Sequence, residues 1–306
     1  MGRSYPVDRI IDCLAGGRAA VLAEEVVGYF RDETFAQWEA AASISSPTVI
    51  PIQELVRSVF AGNRGLKSRL LDVTPLALPR SSRKPTVDWS PSEVRLRAIT
   101  NRLGSDVVLI TEKDDRDGIL GQVANALETL SSGMDDWYGF VDLCTVCIHP
   151  VFVDGAEFGS FSSSASPGAT WLINPLEAPS EGEFVSSLVH ESVHHILHML
   201  EAVDDGYDWR NVSIDYRRSS VESPWTGALI PVRSIVHAWL VWYTLWVFWM
   251  STAASEIFGG DVATLESDAI KAGFAHDLGR SKVREIMRNA PPAYASMLDR
   301  LLTIMT

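Results

Sequence analysis

The chain has 306 residues, 46% of them hydrophobic, so it can bury a large core in one or two domains. Its formal net charge of −13 at pH 7 argues against a general nucleic-acid-binding protein. Three cysteines are too few for a disulfide framework, and the N-terminus carries no apolar signal segment. These features together predict a cytoplasmic protein.

The charge is distributed unevenly along the chain. Residues 1–105 carry 14 basic and 11 acidic side chains, whereas residues 106–306 carry 12 and 28. Ten of the basic residues lie between Arg57 and Arg102. This basic segment is either a solvated face or a docking site for an acidic segment of a partner.

The N-terminal third has a helical period. Two helices are predicted over Val7–Ala42 with a break at Gly16-Gly17, and a third over Ile52–Phe60. The proline-bounded, basic stretch from Pro79 to Pro85 has the composition of a linker. It divides the sequence into a helical region over residues 1–85 and a second domain over residues 86–306.

The middle of the chain alternates between strand-like and helical patterns. In order, the sequence predicts a strand over Val107–Thr111, a helix over Ile119–Leu130, a strand over Leu143–Val153 and a hairpin over 157–173. Pro167-Gly168 is a type II turn sequence within the hairpin. An extended peptide can pair with such a sheet edge.

Cys144 and Cys147 form a C-x-x-C motif within the strand-like run. Residues three apart on a strand point to opposite faces. The spacing therefore argues against a shared metal or redox role for this pair.

The segment from Ser180 to Gly206 is the strongest helix prediction. Ser180 and Glu183 form a capping box, and Gly206 is placed to end the helix in the left-handed conformation. One arc of this helix is apolar, as expected for a face that packs on a core. The other arc carries His190, Glu191, His194, His198 and Glu201.

The sequence His190-Glu191-Ser192-Val193-His194 is an H-E-x-x-H motif on that helix. Histidines four apart on a helix can both reach one metal ion, and Glu191 is placed to contact a metal-bound water. We therefore predict a metal site with His190 and His194 as ligands.

A third ligand must come from elsewhere, and the candidates are His237 and Glu222. His237 lies among apolar residues of a helix predicted to start at Pro231, and Glu222 precedes Ser223-Pro224-Trp225. The residue pattern leaves both open. Arg233, one turn before His237, is a candidate bidentate clamp for a carboxylate.

The run from Ala238 to Met250 is highly apolar but has only 13 residues, too few to span a bilayer. We predict a core helix, followed by helical segments over Thr264–Phe274 and Ser281–Leu302. The expected fold class is α+β, mostly helical, with a small sheet beside the metal-binding helix. The sequence leaves the oligomeric state open.

Taken together, Leu188–His194, Ser223-Pro224-Trp225 and Pro231-Val232-Arg233 with His237 resemble the HExxH family of ribosomal-peptide gene clusters. Its members are understood as iron(II)- and 2-oxoglutarate-dependent peptide β-hydroxylases. The resemblance covers about residues 140–250. It implies His190, His194 and His237 as iron ligands and a precursor peptide as substrate.

The chain departs from the family pattern at Ile230-Pro231, where many members carry Arg-Pro. The resemblance then implies that Arg233 binds the oxoglutarate carboxylate. The role of Glu191 in such an oxygenase stays open.

Two other functions fit the residues. A zinc metallopeptidase would use Glu191 as general base, although no helical E-x-x-x-D or extended H-E-x-x-H-x-x-G-x-x-H motif supports it. A metal-free peptide-binding scaffold would use the basic segment 57–102.

Overall fold

The computed structural model describes residues 4–42, 73–76, 85–91, 96–97, 100, 104, 106–164 and 167–305. Three predictions fall largely on other residues: the helix over Ile52–Phe60, the linker at 79–85 and the basic segment 57–102. They lie outside the described residues apart from the few positions given above.

Eleven helices and eight strands occur in the described residues. The helices are α1 (Val7–Ala15), α2 (Ala19–Ala42), α3 (Lys113–Gly133), α4 (Asp135–Cys144), α5 (Glu181–Val203), α6 (Ile214–Arg218), α7 (Val232–Trp249), α8 (Thr252–Phe258), α9 (Gly260–Ala275), α10 (Asp277–Met287) and α11 (Pro292–Met305). The strands are β1 (Val73–Pro75), β2 (Thr86–Asp88), β3 (Val107–Leu109), β4 (Cys147–Val153), β5 (Gly159–Phe161), β6 (Ala169–Ile173), β7 (Ser220–Glu222) and β8 (Leu229–Pro231). The predicted α+β, mostly helical class is confirmed.

The chain divides into two compact units. The first comprises Met1–Thr34 with Ile196–Thr306, and the second comprises Phe35–His195. The boundary falls inside α5, after His195. The sequence-predicted boundary at residue 85 stays a prediction.

The second unit contains a six-stranded sheet ordered β1-β2-β4-β6-β5, with β3 also paired to β4. β4 runs parallel to β2 and β6 and antiparallel to β3. The predicted hairpin is confirmed as the antiparallel pair β5–β6, and Gly168 has the positive φ of 86° that a type II turn requires.

The strand predicted over Leu143–Val153 begins four residues later than expected. Leu143 and Cys144 close α4, because apolar residues at helical spacing, including Phe140, Val141 and Cys144, bury one face of that helix. Cys144 and Cys147 therefore do not share a strand, and the argument from strand faces does not apply to them.

The predicted break between the first two helices is confirmed. α1 ends at Ala15, and Gly17 adopts a φ of 62°, a left-handed value that glycine reaches without steric cost. α2 then starts at Ala19.

α5 begins and ends close to the predicted positions. The Glu183 backbone N–H donates to Ser180 Oγ at 3.1 Å, which confirms Ser180 as the cap. Six residues form its buried apolar arc: Val185, Val189, Val193, Ile196, Leu197 and Leu200. Gly206 does not take the predicted left-handed conformation; a Cβ there would instead collide with the Ser4 side chain.

α7 is a core helix, as its apolar run predicts. Twelve of its residues are buried, including Val236, His237 and Leu240. Within the first unit it packs against α1, α9 and α11. Searched over the described residues, no helix is both long and apolar enough to cross a membrane.

Candidate metal centre

Three histidines follow one side of α5 at four-residue intervals: His190, His194 and His198. The rings of His190 and His194 have their centroids 5.0 Å apart. One turn further along the same helix comes His198, at the same four-residue spacing. α5 therefore carries two overlapping histidine pairs of metal-binding spacing, of which the H-E-x-x-H motif marks only the first.

His198 faces a second histidine within the first unit. Its ring centroid lies 5.2 Å from that of His237 on α7, and their nitrogens approach within 4.8 Å. Both side chains are buried, with His237 3% exposed and His198 9% exposed. Two imidazoles this close and this buried require polar partners, because an unpaired polar group in the interior costs free energy.

The carboxylate of Glu201 supplies those partners. His198 Nδ1 lies 3.4 Å from Glu201 Oε2, and His237 Nε2 lies 2.9 Å from Oε1. The Tyr294 hydroxyl, from α11, donates to the same Oε1 at 2.9 Å. One carboxylate thus contacts both rings. α5 supplies Glu201 and His198, α7 supplies His237, and α11 supplies Tyr294.

Arg233 completes the ring of donors around Glu201. Its Nε donates to Oε1 at 3.0 Å, and its Nη2 donates to Oε2. Arg233 and His237 lie one turn apart on α7, and both reach the same carboxylate. The two hydrogen bonds from Arg233 to Glu201 use two of the five guanidinium N–H groups, which leaves three for another acceptor.

The charges of this cluster follow from burial and contact. Burial alone raises the pKa of Glu201, but His237 and the hydrogen bonds from His198, His237 and Arg233 outweigh it and bring that pKa well below its usual value. Burial lowers the pKa of His198 to about 4, although the bond to Glu201 acts in the opposite direction. Burial, followed by the Glu201 charge, raises the pKa of Tyr294 well above its usual value. At neutral pH the cluster holds an ionised carboxylate, a neutral His198 and a protonated tyrosine.

Protonation fixes which ring nitrogen can ligate a metal. A neutral imidazole has one N–H and one lone pair. If His198 Nδ1 and His237 Nε2 carry the protons donated to Glu201, the lone pairs lie on His198 Nε2 and His237 Nδ1. Metal-binding histidines commonly donate their other N–H to a carboxylate in this way.

Glu191, the glutamate of the H-E-x-x-H motif, is fully buried in the second unit. Its Oε1 accepts a hydrogen bond from Ser160 on β5 at 2.8 Å and lies 3.9 Å from His190 Nε2. Its Oε2 has no hydrogen-bond partner within the described residues. A buried carboxylate oxygen left in this state is the kind of group that a metal-bound water would satisfy.

The remaining candidates are placed differently. His195 accepts the Gly168 backbone N–H at 3.0 Å on Nδ1 and contacts Thr170 Oγ1 at 2.9 Å through Nε2, so it ties α5 to the sheet. Glu222 is exposed on β7 and belongs to neither donor group found among the described residues. His190 keeps 30% of its side-chain surface exposed, and desolvation lowers its pKa.

The sequence reasoning missed Glu201, His198 and Tyr294 as site residues. His198 had a detectable signal, because it lies four residues after His194 just as His194 lies four after His190. Glu201 had a weaker one, since it follows His198 by one turn. Tyr294 had none, because 93 residues separate it from Glu201 along the chain.

Comparison of the sequence with protein-family models and with curated proteins gives no match. The family resemblance carried by the sequence motifs therefore stays a prediction. The arrangement can hold a divalent metal on imidazole nitrogens beside an arginine.

Proposed function

We propose that this protein is a cytoplasmic, iron(II)- and 2-oxoglutarate-dependent oxygenase that hydroxylates a precursor peptide. The observation that carries the proposal is the single buried carboxylate, Glu201, that holds one nitrogen of His198 and one of His237. Such a carboxylate orients ligand rings and raises their basicity.

Glu201 supports the site from outside the metal shell. Its two oxygens already accept from Arg233, Tyr294 and the two imidazoles. A carboxylate whose charge is offset by a guanidinium is a weak ligand for a cation. The metal would instead bind His198 Nε2 and His237 Nδ1, both in the first unit, with His194 added as the ligand that the H-E-x-x-H motif predicts.

This ligand set shifts the sequence-predicted one by a single helical turn. His194 and His237 are retained, and His198 takes the place of His190 because the ring that faces His237 in the first unit is that of His198. Three nitrogen ligands leave coordination positions open on an octahedral iron(II).

Arg233 supports the co-substrate part of the proposal. A chelating 2-oxoglutarate needs a counter-charge for its distal carboxylate, because a buried carboxylate without a partner is costly. Arg233 has three N–H groups beyond the two that serve Glu201, and 36% of its side chain is exposed. It would bridge Glu201 and the co-substrate. Bound iron and 2-oxoglutarate would supply the redox chemistry.

A groove in the second unit supports a peptide substrate. It has a volume of about 370 Å³ and lies along β3, with the exposed apolar side chains Val108, Phe152 and Leu176 on its walls. Acidic residues line it as well, namely Glu112, Asp115 and Glu177. This combination favours an extended peptide that carries apolar and basic residues and adds a strand beside β3.

The proposal is tested on purified protein. Metal analysis should find iron(II) near one equivalent after anaerobic loading, and aerobic addition of 2-oxoglutarate should release succinate in proportion to bound iron. His237→Ala should lose both. Succinate formation equal to that of a metal-free control would overturn the oxygenase assignment.

A second candidate function, a zinc metallopeptidase, is favoured by Glu191. Its buried Oε2 lacks a protein partner among the described residues, as expected for a general base that holds a water molecule. Ser160 anchors the other oxygen and would keep the carboxylate aimed.

Glu191→Gln separates the two functions. A peptidase would lose about 10²–10⁴-fold in cleavage rate with its general base, whereas an oxygenase should keep its iron and most of its succinate release. Ser160→Ala removes the anchoring hydrogen bond but leaves the carboxylate, so a peptidase should lose less activity in this variant than in Glu191→Gln. Peptide cleavage by the wild type that disappears in Glu191→Gln would decide for the peptidase.

A further inference from the structure

A second group of metal-binding side chains lies in the sheet of the second unit, on β2 and β4. Cys147 and His149 are two residues apart on β4, so they project from the same face. β2 runs parallel to β4, with Thr86 opposite Cys147 and Val87 opposite Ile148. Continuing this register brings Asp88, the last residue of β2, to the level of His149.

The donor atoms of these residues converge. His149 Nδ1 lies 3.4 Å from Asp88 Oδ2, and one donor atom from each of Asp88, Cys147 and His149 lies within 4.8 Å of the other two. Ligands bound to one metal at about 2.0–2.3 Å stand roughly 3–4 Å apart. Small side-chain rotations would therefore bring all three onto a single ion.

The surroundings hold two of these side chains in place. His149 is fully buried, and its ring stacks on Trp171 of β6 with centroids 4.4 Å apart. Asp88 Oδ1 accepts the Ser90 backbone N–H at 3.0 Å, which turns Oδ2 toward His149. A fixed imidazole and an oriented carboxylate are what a metal site needs from the groups around its ligands.

The three donors define the metal. A thiolate favours zinc and other soft or borderline cations over magnesium and calcium, and imidazole and carboxylate complete a common zinc ligand set. We propose that Asp88, Cys147 and His149 form a zinc site with three protein ligands and a fourth position for water. This site is independent of the histidine centre on α5 and α7, and it shares no ligand with it.

The position of the site indicates what zinc does there. β2 has three residues, and the structure pairs only two of them with β4. A metal bridging Asp88 to Cys147 and His149 would cross-link the two strands beyond that short ladder. Zinc bound only to the folded protein then stabilises this part of the sheet by mass action.

Cobalt(II) gives a direct readout, because a cysteine ligand adds an intense near-ultraviolet thiolate-to-cobalt absorption that histidine and carboxylate ligands lack. Titration of the metal-free, reduced protein with Co²⁺ should produce this band, and Zn²⁺ should abolish it. Cys147→Ser should remove the band. Cys144→Ser is the matched control and should keep it.

Further variants test the zinc site without relying on Cys147→Ser alone. Asp88→Asn should keep the thiolate band but weaken Co²⁺ binding by at least about tenfold. Zn²⁺ should raise the Tm of the wild type and of Cys144→Ser by more than it raises the Tm of Cys147→Ser. The double variant His198→Ala/His237→Ala lacks the proposed iron ligands and should still give the band.

Two results would overturn the proposal. One is a wild-type protein without a thiolate band at saturating Co²⁺. The other is a Cys147→Ser spectrum identical to that of the wild type, since any thiolate band would then come from another cysteine. Both outcomes leave the oxygenase proposal untouched, because that one is judged by iron content and succinate release.

Discussion

Arg233 on α7 donates two hydrogen bonds to the carboxylate of Glu201 on α5, with Nε 3.0 Å from Oε1. The same carboxylate contacts His198 and His237. The guanidinium therefore acts on the position of both imidazoles through the carboxylate that they share.

This relationship predicts that Glu201→Gln weakens the metal centre. The amide keeps the size of the side chain but loses the negative charge and replaces one acceptor oxygen with a donor. Metal affinity should fall by about 10–100-fold, the usual effect of removing a partner that orients ligands. Competition with a chelator measures this. Glu183→Gln, an exposed position near the start of α5, is the matched control and should leave affinity unchanged.

A series of alanine variants along α5 tests which histidine pair binds the metal. His198→Ala and His194→Ala should each lose stoichiometric iron, because both are proposed ligands. His190→Ala should retain it. The ligand set implied by the family resemblance predicts the reverse order for His190 and His198. Metal content after desalting, with far-ultraviolet circular dichroism to verify folding, distinguishes the two.

Replacing Arg233 tests its part in co-substrate binding. Arg233→Lys keeps the positive charge but loses the planar fork, so it can no longer serve Glu201 and a second carboxylate together. The KM for 2-oxoglutarate should rise by about one to two orders of magnitude, since each factor of ten corresponds to about 1.4 kcal/mol. Succinate release at saturating iron measures it. Arg210→Lys, an exposed position in the same unit, should leave the KM as it is, and an unchanged KM in Arg233→Lys would remove Arg233 from the site.

Two buried tyrosines of the first unit, Tyr5 and Tyr207, and the partly buried Tyr29 predict a loss of stability at alkaline pH. Burial, followed by Glu25, raises the pKa of Tyr5; burial, followed by Asp204, raises the pKa of Tyr207 and raises that of Tyr29 to about 12. Unfolded tyrosine titrates near 10. The folded protein therefore binds these protons more tightly, and the resulting stabilisation is complete below pH 10 and is lost as the pH rises toward and beyond 12.

Urea unfolding at pH 9, 10 and 11 measures this loss. The free energy of unfolding should fall with each step, and the double variant Tyr5→Phe/Tyr207→Phe should show a smaller slope. The wild-type hydrogen bonds, from Tyr5 to Glu25 at 2.9 Å and from Tyr207 to the Tyr5 carbonyl at 3.2 Å, are absent in that variant. A flat wild-type profile up to pH 11 would contradict the prediction.

Local features of the sequence determined the helices near the site. Ser180 caps α5, the apolar residues recur at helical spacing, and the run from Ala238 to Met250 is highly apolar. These signals are read within one or two turns of chain, so they do not depend on distant partners. The α+β class follows from the same kind of signal, summed over the segments.

The sequence placed the start of β4 too early because Leu143 and Cys144 are apolar and suit either a buried strand or a buried helix. The tertiary contacts of α4 decided for the helix. The same ambiguity led to the wrong geometric argument about the C-x-x-C pair, of which Cys147 alone lies on a strand.

The motif directed attention to His190, Glu191 and His194, because H-E-x-x-H is defined by spacing on one helix. The partners of His237 could not be found that way. Glu201 lies 36 residues before His237, and Tyr294 lies 57 residues after it. Only the packing of α5, α7 and α11 brings these groups to one point, because a contact between distant segments depends on how helices cross and not on any local period.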